Sequence, residues 1–250
     1  MSGLAVRTLG SGPALVMVPG WAMHTGMWGE FAQALARHFT LILVDLPGHG
    51  RVPGPHPWTL EALVADLARV HREAFWLGWS LGGQLLVALA SLFPERVRGL
   101  ILLASNPKFV ADGDWPGMDG QIFETFKRRL IQDPGSAVKR FLGLICHGAP
   151  RSVGKKAHRL WQTCPHADPD ALIQGLNLLG QLDLRANLGQ VNCPVAIISG
   201  QNDTLVPAAV QQRLVAQLPR VRLVTVAAGG HIPFLVEPAP LADWIRTTFS

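Results

Sequence analysis

Charged side chains are scarce in this chain of 250 residues: they make up 16% of it, while hydrophobic residues make up 48%. This balance excludes a largely disordered protein, because there is enough apolar surface to form a large dry core. The length suits one α/β domain, or one domain with an insertion. Cysteines are also few, and the odd set of Cys146, Cys164 and Cys193 contains no CxxC pair. A disulfide framework is therefore not expected.

Long apolar runs are missing too, since no stretch approaches the roughly 18 residues that a membrane span requires. Residues 1–12 lack the basic start and apolar run of a secretory signal. Together with the cysteine usage, this predicts a cytoplasmic protein with no membrane partner. The histidines show no metal-ligand spacing such as HExxH, so we predict no metal and no other cofactor.

Short apolar runs alternate with helical patterns along most of the chain. This rhythm predicts a doubly wound α/β fold with a mostly parallel sheet. The runs are almost continuously apolar, which is typical of strands buried on both faces. The predicted strands span residues 14–18, 41–45, 74–79, 97–104, 195–199 and 221–226, and predicted helices span 28–37, 60–70 and 80–93.

The rhythm breaks between residues 111 and 190. The pattern there is helical, and the segments IFETFKRRL and VKRFLGLI each carry aromatic residues on one face. We therefore predict a core made of residues 1–110 and 191–250. A helical cap at 111–190 is inserted into it before the last strands.

The segment FWLGWSLGGQ, residues 75–84, combines an apolar run, a turn and a helical start. Its centre fits G-x-S-x-G, in which a nucleophilic serine stands on a sharp strand-to-helix turn. Glycines two residues away on either side leave room for that turn, and the helix start directs free N–H groups at developing negative charge. We predict that Ser80 is the nucleophile; the alternative is a glycine-rich turn with an idle serine.

A serine nucleophile requires a base and an acid that orients it, and in this fold they follow the serine in the order acid, histidine. Asp203 comes after the predicted strand 195–199, and His231 comes after 221–226. Both positions lie beyond carboxyl ends of strands, where open α/β sheets bind ligands. We predict that Asp203 and His231 complete a triad, with solvent-exposed surface residues as the alternative. His24 and His49 are candidates to line the site.

The oxyanion of such a reaction requires two N–H donors. One comes from the residue after the serine, Leu81. The second comes from the loop after the first predicted strand, where Gly20 allows close backbone approach and Trp21 supplies the N–H. The alternative for Trp21 is a core or rim aromatic, a role that its ring can combine with a backbone role.

Six segments, in order VPGW, VDLPGHGR, LGWSLGG, FPERV, NDTLVP and GGHIPF, resemble the α/β-hydrolase superfamily over nearly the whole chain. HFTLILVDLPGHGR, WLGWSLGG, LLASNPKFVADGDWPGM and QLDLR are similar to the pimeloyl-acyl-carrier-protein methyl ester esterase family of biotin synthesis. Two departures occur: PGW stands where HGW is usual, and Val52 with several prolines stands where serine is common.

The resemblance implies an α/β-hydrolase fold, with a mostly parallel central sheet flanked by helices and a helical cap before the last strands. It implies a serine carboxylesterase that hydrolyses the methyl ester of pimeloyl-acyl-carrier protein and frees the terminal carboxylate. Nine of the 22 basic residues lie between 121 and 160, against only Glu124 and Asp133, which suits an acidic carrier protein. The predicted carrier-binding residues are Lys139, Arg140, Arg151, Lys155 and Arg159. The alternative is a solvated helical face.

Apolar residues recur at helical spacing in the predicted cap. Those predicted to line the acyl site, together with Trp21, are Phe123, Phe126, Phe141 and Leu144. The alternative is ordinary core packing.

Two other functions stay open: a small-molecule carboxylesterase or lactonase with the same triad, and a non-catalytic ligand-binding member of the fold. A small neutral ester does not require a basic cap, and an intact triad argues against the non-catalytic reading. Nothing in the sequence favours nucleic acid as partner, and a monomer is expected.

Overall fold

The computed structural model describes residues 3–52, 54, 57–165 and 167–249. Two of the prolines that depart from the family pattern, Pro53 and Pro55, lie outside these ranges. Seven strands form one sheet within them. The strands are β1 (Ala5–Leu9), β2 (Ala14–Val18), β3 (Thr40–Asp45), β4 (Ala74–Trp79), β5 (Val97–Leu103), β6 (Val195–Gly200) and β7 (Val221–Val226).

The sheet has the order β1-β3-β2-β4-β5-β6-β7, and every pair is parallel except the antiparallel pair β1 and β3. At the centre, Gly78 of β4 is paired with Val18 of β2 and with Leu102 of β5. The carboxyl ends of the parallel strands therefore meet at one edge. This is the edge at which ligands bind in open α/β sheets.

Six of these strands lie where the sequence predicts them, within one residue at each end. β1 was missed, because AVRTL carries Arg7 and Thr8 and has three exposed residues in a row. β7 was predicted to be buried on both faces, and this is wrong. It is an edge strand in which only Val226 is buried, since a strand with one neighbour needs less apolar surface.

Ten α-helices connect and flank the strands in the part of the chain that the structure describes. They are α1 (Gly29–Leu35), α2 (Leu60–Ala68), α3 (Leu81–Leu92), α4 (Gly120–Gln132), α5 (Pro134–Cys146), α6 (Arg151–Trp161), α7 (Pro169–Gln181), α8 (Ala208–Gln217), α9 (Pro233–Val236) and α10 (Pro238–Thr248). The helices predicted at 28–37, 60–70 and 80–93 are α1, α2 and α3, each shorter than predicted. α1 packs against α10, and α2 packs against α3.

Helices α4 to α7 all lie between β5 and β6, and we call residues 120–181 the four-helix segment. Three of the four begin at an aspartate whose side chain accepts backbone N–H groups, as is usual at helix N-termini. α4 packs against α5 and α7, and α6 packs against α9. The segment is thus joined to the sheet domain through the helix that follows His231.

No helix among the described residues combines the length and apolar character that crossing a bilayer would require.

Candidate active site

Ser80 stands between the end of β4 and the start of α3. Its backbone has φ 54° and ψ −117°, a left-handed conformation that a non-glycine residue adopts only when its surroundings impose it. Strain of this kind costs on the order of 1–3 kcal/mol and concentrates at functional sites. The turn therefore has the geometry that the G-x-S-x-G pattern predicts for a nucleophile.

The glycines around Ser80 are required by contact distances. A Cβ atom on Gly78 would lie 2.5 Å from backbone atoms of Gly82 and Gly83, and one on Gly82 would lie 2.3 Å from the carbonyl oxygen of Val18. A Cβ on Gly83 would lie 2.4 Å from Ser105 Oγ. Real Cβ contacts are not that short, so any side chain at these positions would force the turn apart.

Ser105 stabilises the Ser80 turn through a hydrogen bond, a role that the sequence did not indicate. Its hydroxyl donates a hydrogen bond to the carbonyl oxygen of Ser80 at 2.8 Å, and the Gly83 N–H donates to the same oxygen at 2.9 Å. Ser105 follows β5, the neighbour of β4. In the sequence, only this position after a strand end could have indicated that Ser105 contacts the turn.

Asp203 and His231 lie together beyond the ends of β6 and β7. His231 Nδ1 is 2.8 Å from Asp203 Oδ2, and both side chains are 1% exposed. The other carboxylate oxygen, Oδ1, accepts the N–H groups of Leu205 at 2.8 Å and Val206 at 3.0 Å. Since Nδ1 is held by the carboxylate, Nε2 is the nitrogen left to exchange a proton.

Nε2 of His231 is buried and has no hydrogen-bond partner within the described part of the chain. The loop that carries it is held by Trp79, whose ring N–H donates to the His231 carbonyl at 2.9 Å. Trp79 directly precedes Ser80, so this bond ties the histidine loop to the nucleophile turn. The structure thus places the His231–Asp203 pair beside the turn that carries Ser80, and the catalytic role of the three residues stays a prediction.

The end of α5 packs on the loops that carry the acid and the base. A Cβ on Gly230 would lie 2.0 Å from the His147 carbonyl oxygen, and one on Gly148 would lie 2.5 Å from Asn202. Gly148 adopts φ 79°, which favours glycine. The four-helix segment therefore reaches the Asp203 and His231 loops directly.

The two predicted oxyanion donors flank Ser80. The Leu81 N–H belongs to the first turn of α3 and so lacks an acceptor within its helix. On the other side, a Cβ added to Gly20 would lie 3.2 Å from Ser80 Cβ, so the loop before Trp21 runs directly over the nucleophile. The Trp21 ring is 1% exposed. Both residues therefore lie beside Ser80, and the role of their N–H groups as oxyanion donors stays a prediction.

A cavity of about 680 Å³ opens between α4, α5 and α7. Phe123, Phe126, Phe141 and Leu144, the residues predicted to line an acyl site, all border it. Trp21 does not border it, but its ring meets Phe126 edge-on at 5.7 Å and Phe141 at 4.9 Å. The cavity wall is thus in contact with the proposed oxyanion loop.

The five residues predicted to bind a carrier protein are all exposed on the four-helix segment. Arg140 borders the 680 Å³ cavity, and Arg151, Lys155 and Arg159 line a separate shallow groove along α6. Their neighbour Lys156 is instead paired with Glu30 at 2.7 Å. Three of the five predicted carrier-binding residues therefore share one groove.

Of the histidines proposed to line the site, His24 and His49 both use their ring nitrogens for structure. His24 Nδ1 accepts the Gly26 N–H at 3.0 Å, and its Nε2 lies 2.9 Å from the Trp161 carbonyl. His49 Nε2 accepts the Ala22 N–H at 3.2 Å. Both rings hold the backbone of the loop after β2.

The sequence pattern of the alpha/beta hydrolase fold family matches residues 13–238. The chain therefore belongs to the α/β-hydrolase family, and the predicted family and fold class are confirmed. A pimeloyl-[acyl-carrier protein] methyl ester esterase of Xanthomonas oryzae pv. oryzae is 40% identical over 234 residues, which cover 92% of each chain. A relative of the same name from Nitrosomonas europaea is 39% identical over 243 residues, or 95% of this chain and 96% of the relative.

Solved structures share the architecture. An esterase from Exiguobacterium antarcticum superimposes with a TM-score of 0.89 at 23% identity and covers 98% of this chain and 95% of its own. A bromoperoxidase from Bacillus anthracis has a TM-score of 0.88 at 19% identity, with 98% and 94% covered. At these identities the likeness shows the fold alone.

We predict that Gly82→Ala separates the nucleophile turn from the end of β2. The added Cβ would meet the carbonyl oxygens of Val18 at 2.3 Å and Pro19 at 2.7 Å, and neither backbone group can turn aside. We expect a loss of about 1–3 kcal/mol in the free energy of unfolding and a lower kcat. Gly189→Ala is the control, because among the described residues no atom beyond its chain neighbours lies within 4 Å of its added Cβ. Equal unfolding curves for the two variants would contradict the crowding argument.

Burial of His49 predicts a loss of stability in acid. Desolvation lowers the pKa of His49 to about 4, below its ordinary 6.5, so the unfolded chain binds more protons between these values. The stabilisation is present above pH 6.5 and is lost as the pH falls to 4, by about 3 kcal/mol. Urea unfolding of wild type and His49→Gln measures this effect. The difference between their free energies of unfolding should fall by that amount from pH 6.5 to pH 4. Burial raises the pKa of Asp45, but this effect is common to both proteins. A pH-independent difference would contradict the prediction.

Proposed function

We propose that this protein is a serine carboxylesterase that works through an acyl-enzyme on Ser80. The observation that carries the proposal is the buried His231–Asp203 pair, with Nδ1 engaged at 2.8 Å and Nε2 left without a partner among the described residues. A histidine oriented in this way on its acid is the base that a serine nucleophile requires.

In the proposed first step, Ser80 Oγ attacks the ester carbonyl carbon and its proton passes to His231 Nε2. The carbonyl oxygen becomes an oxyanion, and the N–H groups of Leu81 and Trp21 would stabilise it. The intermediate collapses, the bond to the methoxy oxygen breaks, and His231 returns the proton so that methanol leaves. Water then attacks the acyl-enzyme by the same route and releases the carboxylic acid.

The substrate that we propose is the methyl ester of pimeloyl-acyl-carrier protein, an intermediate of biotin synthesis. The names of relatives 39–40% identical over more than nine-tenths of the chain support it. The cavity supports it as well, because the walls contributed by Phe123, Phe126, Phe141 and Leu144 are apolar, as a carrier-linked acyl chain requires.

The carrier protein itself is proposed to bind the four-helix segment. Lys139, Arg140, Arg151, Lys155 and Arg159 are exposed there, and the chain as a whole has a net charge of +5. An acidic partner would be attracted and oriented by such a surface. In this proposal these five basic residues bind the carrier protein, and the acyl group that it carries enters the cavity.

We further propose that residues 111–190 act as a cap over a core of residues 1–110 and 191–250. Helices α4, α5 and α7, which border the cavity, lie in this range, as does the end of α5 that packs on the acid and base loops. A cytoplasmic location is proposed too. Cys146, Cys164 and Cys193 all carry free thiols, which suits a reducing compartment.

The triad predicts the effect of two substitutions. Ser80→Ala should abolish labelling by a serine-directed phosphonate and reduce turnover by orders of magnitude. Asp203→Asn should leave the fold intact and lower kcat by up to about 10⁴-fold, because an amide stabilises neither the required tautomer nor the imidazolium. Steady-state kinetics with a p-nitrophenyl ester measure both. Near-full activity of a folded Asp203→Asn variant would show that the acid is misassigned.

The carrier proposal predicts a selective effect of charge. Reversal of Arg151, Lys155 and Arg159 to Glu should raise KM for the carrier-linked methyl ester and leave hydrolysis of a free methyl ester nearly unchanged. Added salt should weaken the wild-type preference, since exposed charges are screened over about 8 Å at physiological ionic strength.

The matched control reverses the same number of charges outside the four-helix segment, at exposed Arg37, Arg222 and Arg246. Its KM for the carrier-linked ester should stay near that of wild type. If wild type and both variants hydrolyse the two substrates equally well at all salt concentrations, the carrier proposal fails. The triad proposal would remain, and the enzyme would then be a small-ester hydrolase.

A further inference from the structure

The loop that carries the Trp21 N–H is a tight turn. The Met23 N–H donates to the Gly20 carbonyl oxygen at 3.2 Å and closes it. Ala22, the third residue of the turn, has φ 61°. A turn with positive φ at this position normally carries glycine or asparagine, so alanine here is held in place by its contacts.

The contact that holds it is a hydrogen bond from the Ala22 N–H to His49 Nε2, at 3.2 Å. The other ring nitrogen, Nδ1, lies 3.0 Å from the Pro47 carbonyl oxygen. A carbonyl only accepts, so Nδ1 carries the proton and Nε2 offers its lone pair to Ala22. Desolvation lowers the pKa of His49 to about 4, and the ring therefore stays neutral at neutral pH.

His49 is itself fixed by its surroundings. The backbone N–H of His49 donates to the Leu46 carbonyl oxygen at 2.9 Å. The His49 ring packs on the ring of Trp58, with centroids 5.2 Å apart. The ring is 1% exposed. The far end of the loop after β2 is fixed by the end of β3. There Asp45 Oδ1 accepts the Thr25 N–H at 2.6 Å. The turn between these two points is therefore the part of the loop that depends on the bond from His49.

We propose that His49 is a positioning residue for ester hydrolysis: it holds the Trp21–Ala22 peptide so that the Trp21 N–H stays directed at the oxyanion. Without the acceptor, rotation of this peptide plane relieves Ala22 and turns the adjoining Gly20–Trp21 unit, which lies against Ser80. A misplaced donor loses its value because oxyanion stabilisation depends on preorganised geometry. The inference rests on the proposed acyl chemistry.

A matched pair of substitutions separates the two nitrogens. His49→Asn keeps an N–H near the Nδ1 position for the Pro47 carbonyl but offers no acceptor to Ala22. His49→Gln places a carbonyl oxygen near the Nε2 position. His71→Leu is the control, because His71 lies before β4 and, among the described residues, its ring is hydrogen-bonded only to the backbone of Glu73. Unfolding midpoints of all three are measured first.

Kinetics and inhibition then report on the donor. With a short-chain p-nitrophenyl ester, His49→Asn should lose about 10²-fold in kcat with little change in KM, and His49→Gln should recover most of the loss. Affinity for a trifluoromethyl ketone, which forms a tetrahedral oxyanion adduct with the serine, should fall in parallel in His49→Asn. Affinity for the corresponding alcohol, which forms no adduct, should not change.

Full kcat in folded His49→Asn overturns the inference, and so does a parallel loss of kcat and alcohol affinity in both variants, which indicates general loss of packing. If His49→Asn does not fold, Ala22→Val provides the second test, because a β-branched residue resists positive φ. Unchanged kcat in folded Ala22→Val also overturns it. Ser80→Ala distinguishes a failure of the His49 inference from a failure of the proposed serine esterase function. If Ser80→Ala retains activity, the proposed function itself fails.

Discussion

Close contact between the ends of two neighbouring parallel strands is the constraint on which this site depends. β2 and β4 are paired with Val18 opposite Gly78, and Gly82 at the start of α3 lies against the Val18 carbonyl oxygen. The loop after β2 and the turn after β4 are therefore held at contact distance by sheet geometry. The proposed nucleophile on the turn and the proposed N–H donor on the loop therefore need no motion to meet.

Burial holds the polar groups of this site in place, because no water competes for their hydrogen bonds. Both oxygens of Asp203 are engaged, one by His231 and the other by two backbone N–H groups. Hydrogen bonds in a dry environment are strong, and a broken one leaves an expensive unpaired group. The pair therefore stays aligned, and the free nitrogen of His231 is the one that the proposed reaction uses.

Patterns along the chain could predict most of the sheet and point to the three residues proposed as a triad. Buried strands are apolar runs that can be read directly, and the serine motif with a following acid and histidine has a fixed order. AVRTL was missed because an edge strand has little apolar character. The contacts from Ser105 to Ser80 and from His49 to Ala22 join residues 25 and 27 positions apart, and no local pattern records such a meeting.

Trp21 connects the two parts of the molecule. Its backbone lies beside the nucleophile turn, while its ring N–H donates to the Leu172 carbonyl of α7 at 2.9 Å. A Cβ on Gly175, one turn further along α7, would lie 3.0 Å from the ring, so a larger residue there would crowd the tryptophan. The same ring touches Phe126 and Phe141 of the cavity wall. Because a rigid aromatic side chain transmits displacement to its own backbone, the shape of the cavity wall and the position of the proposed oxyanion donor both depend on one residue.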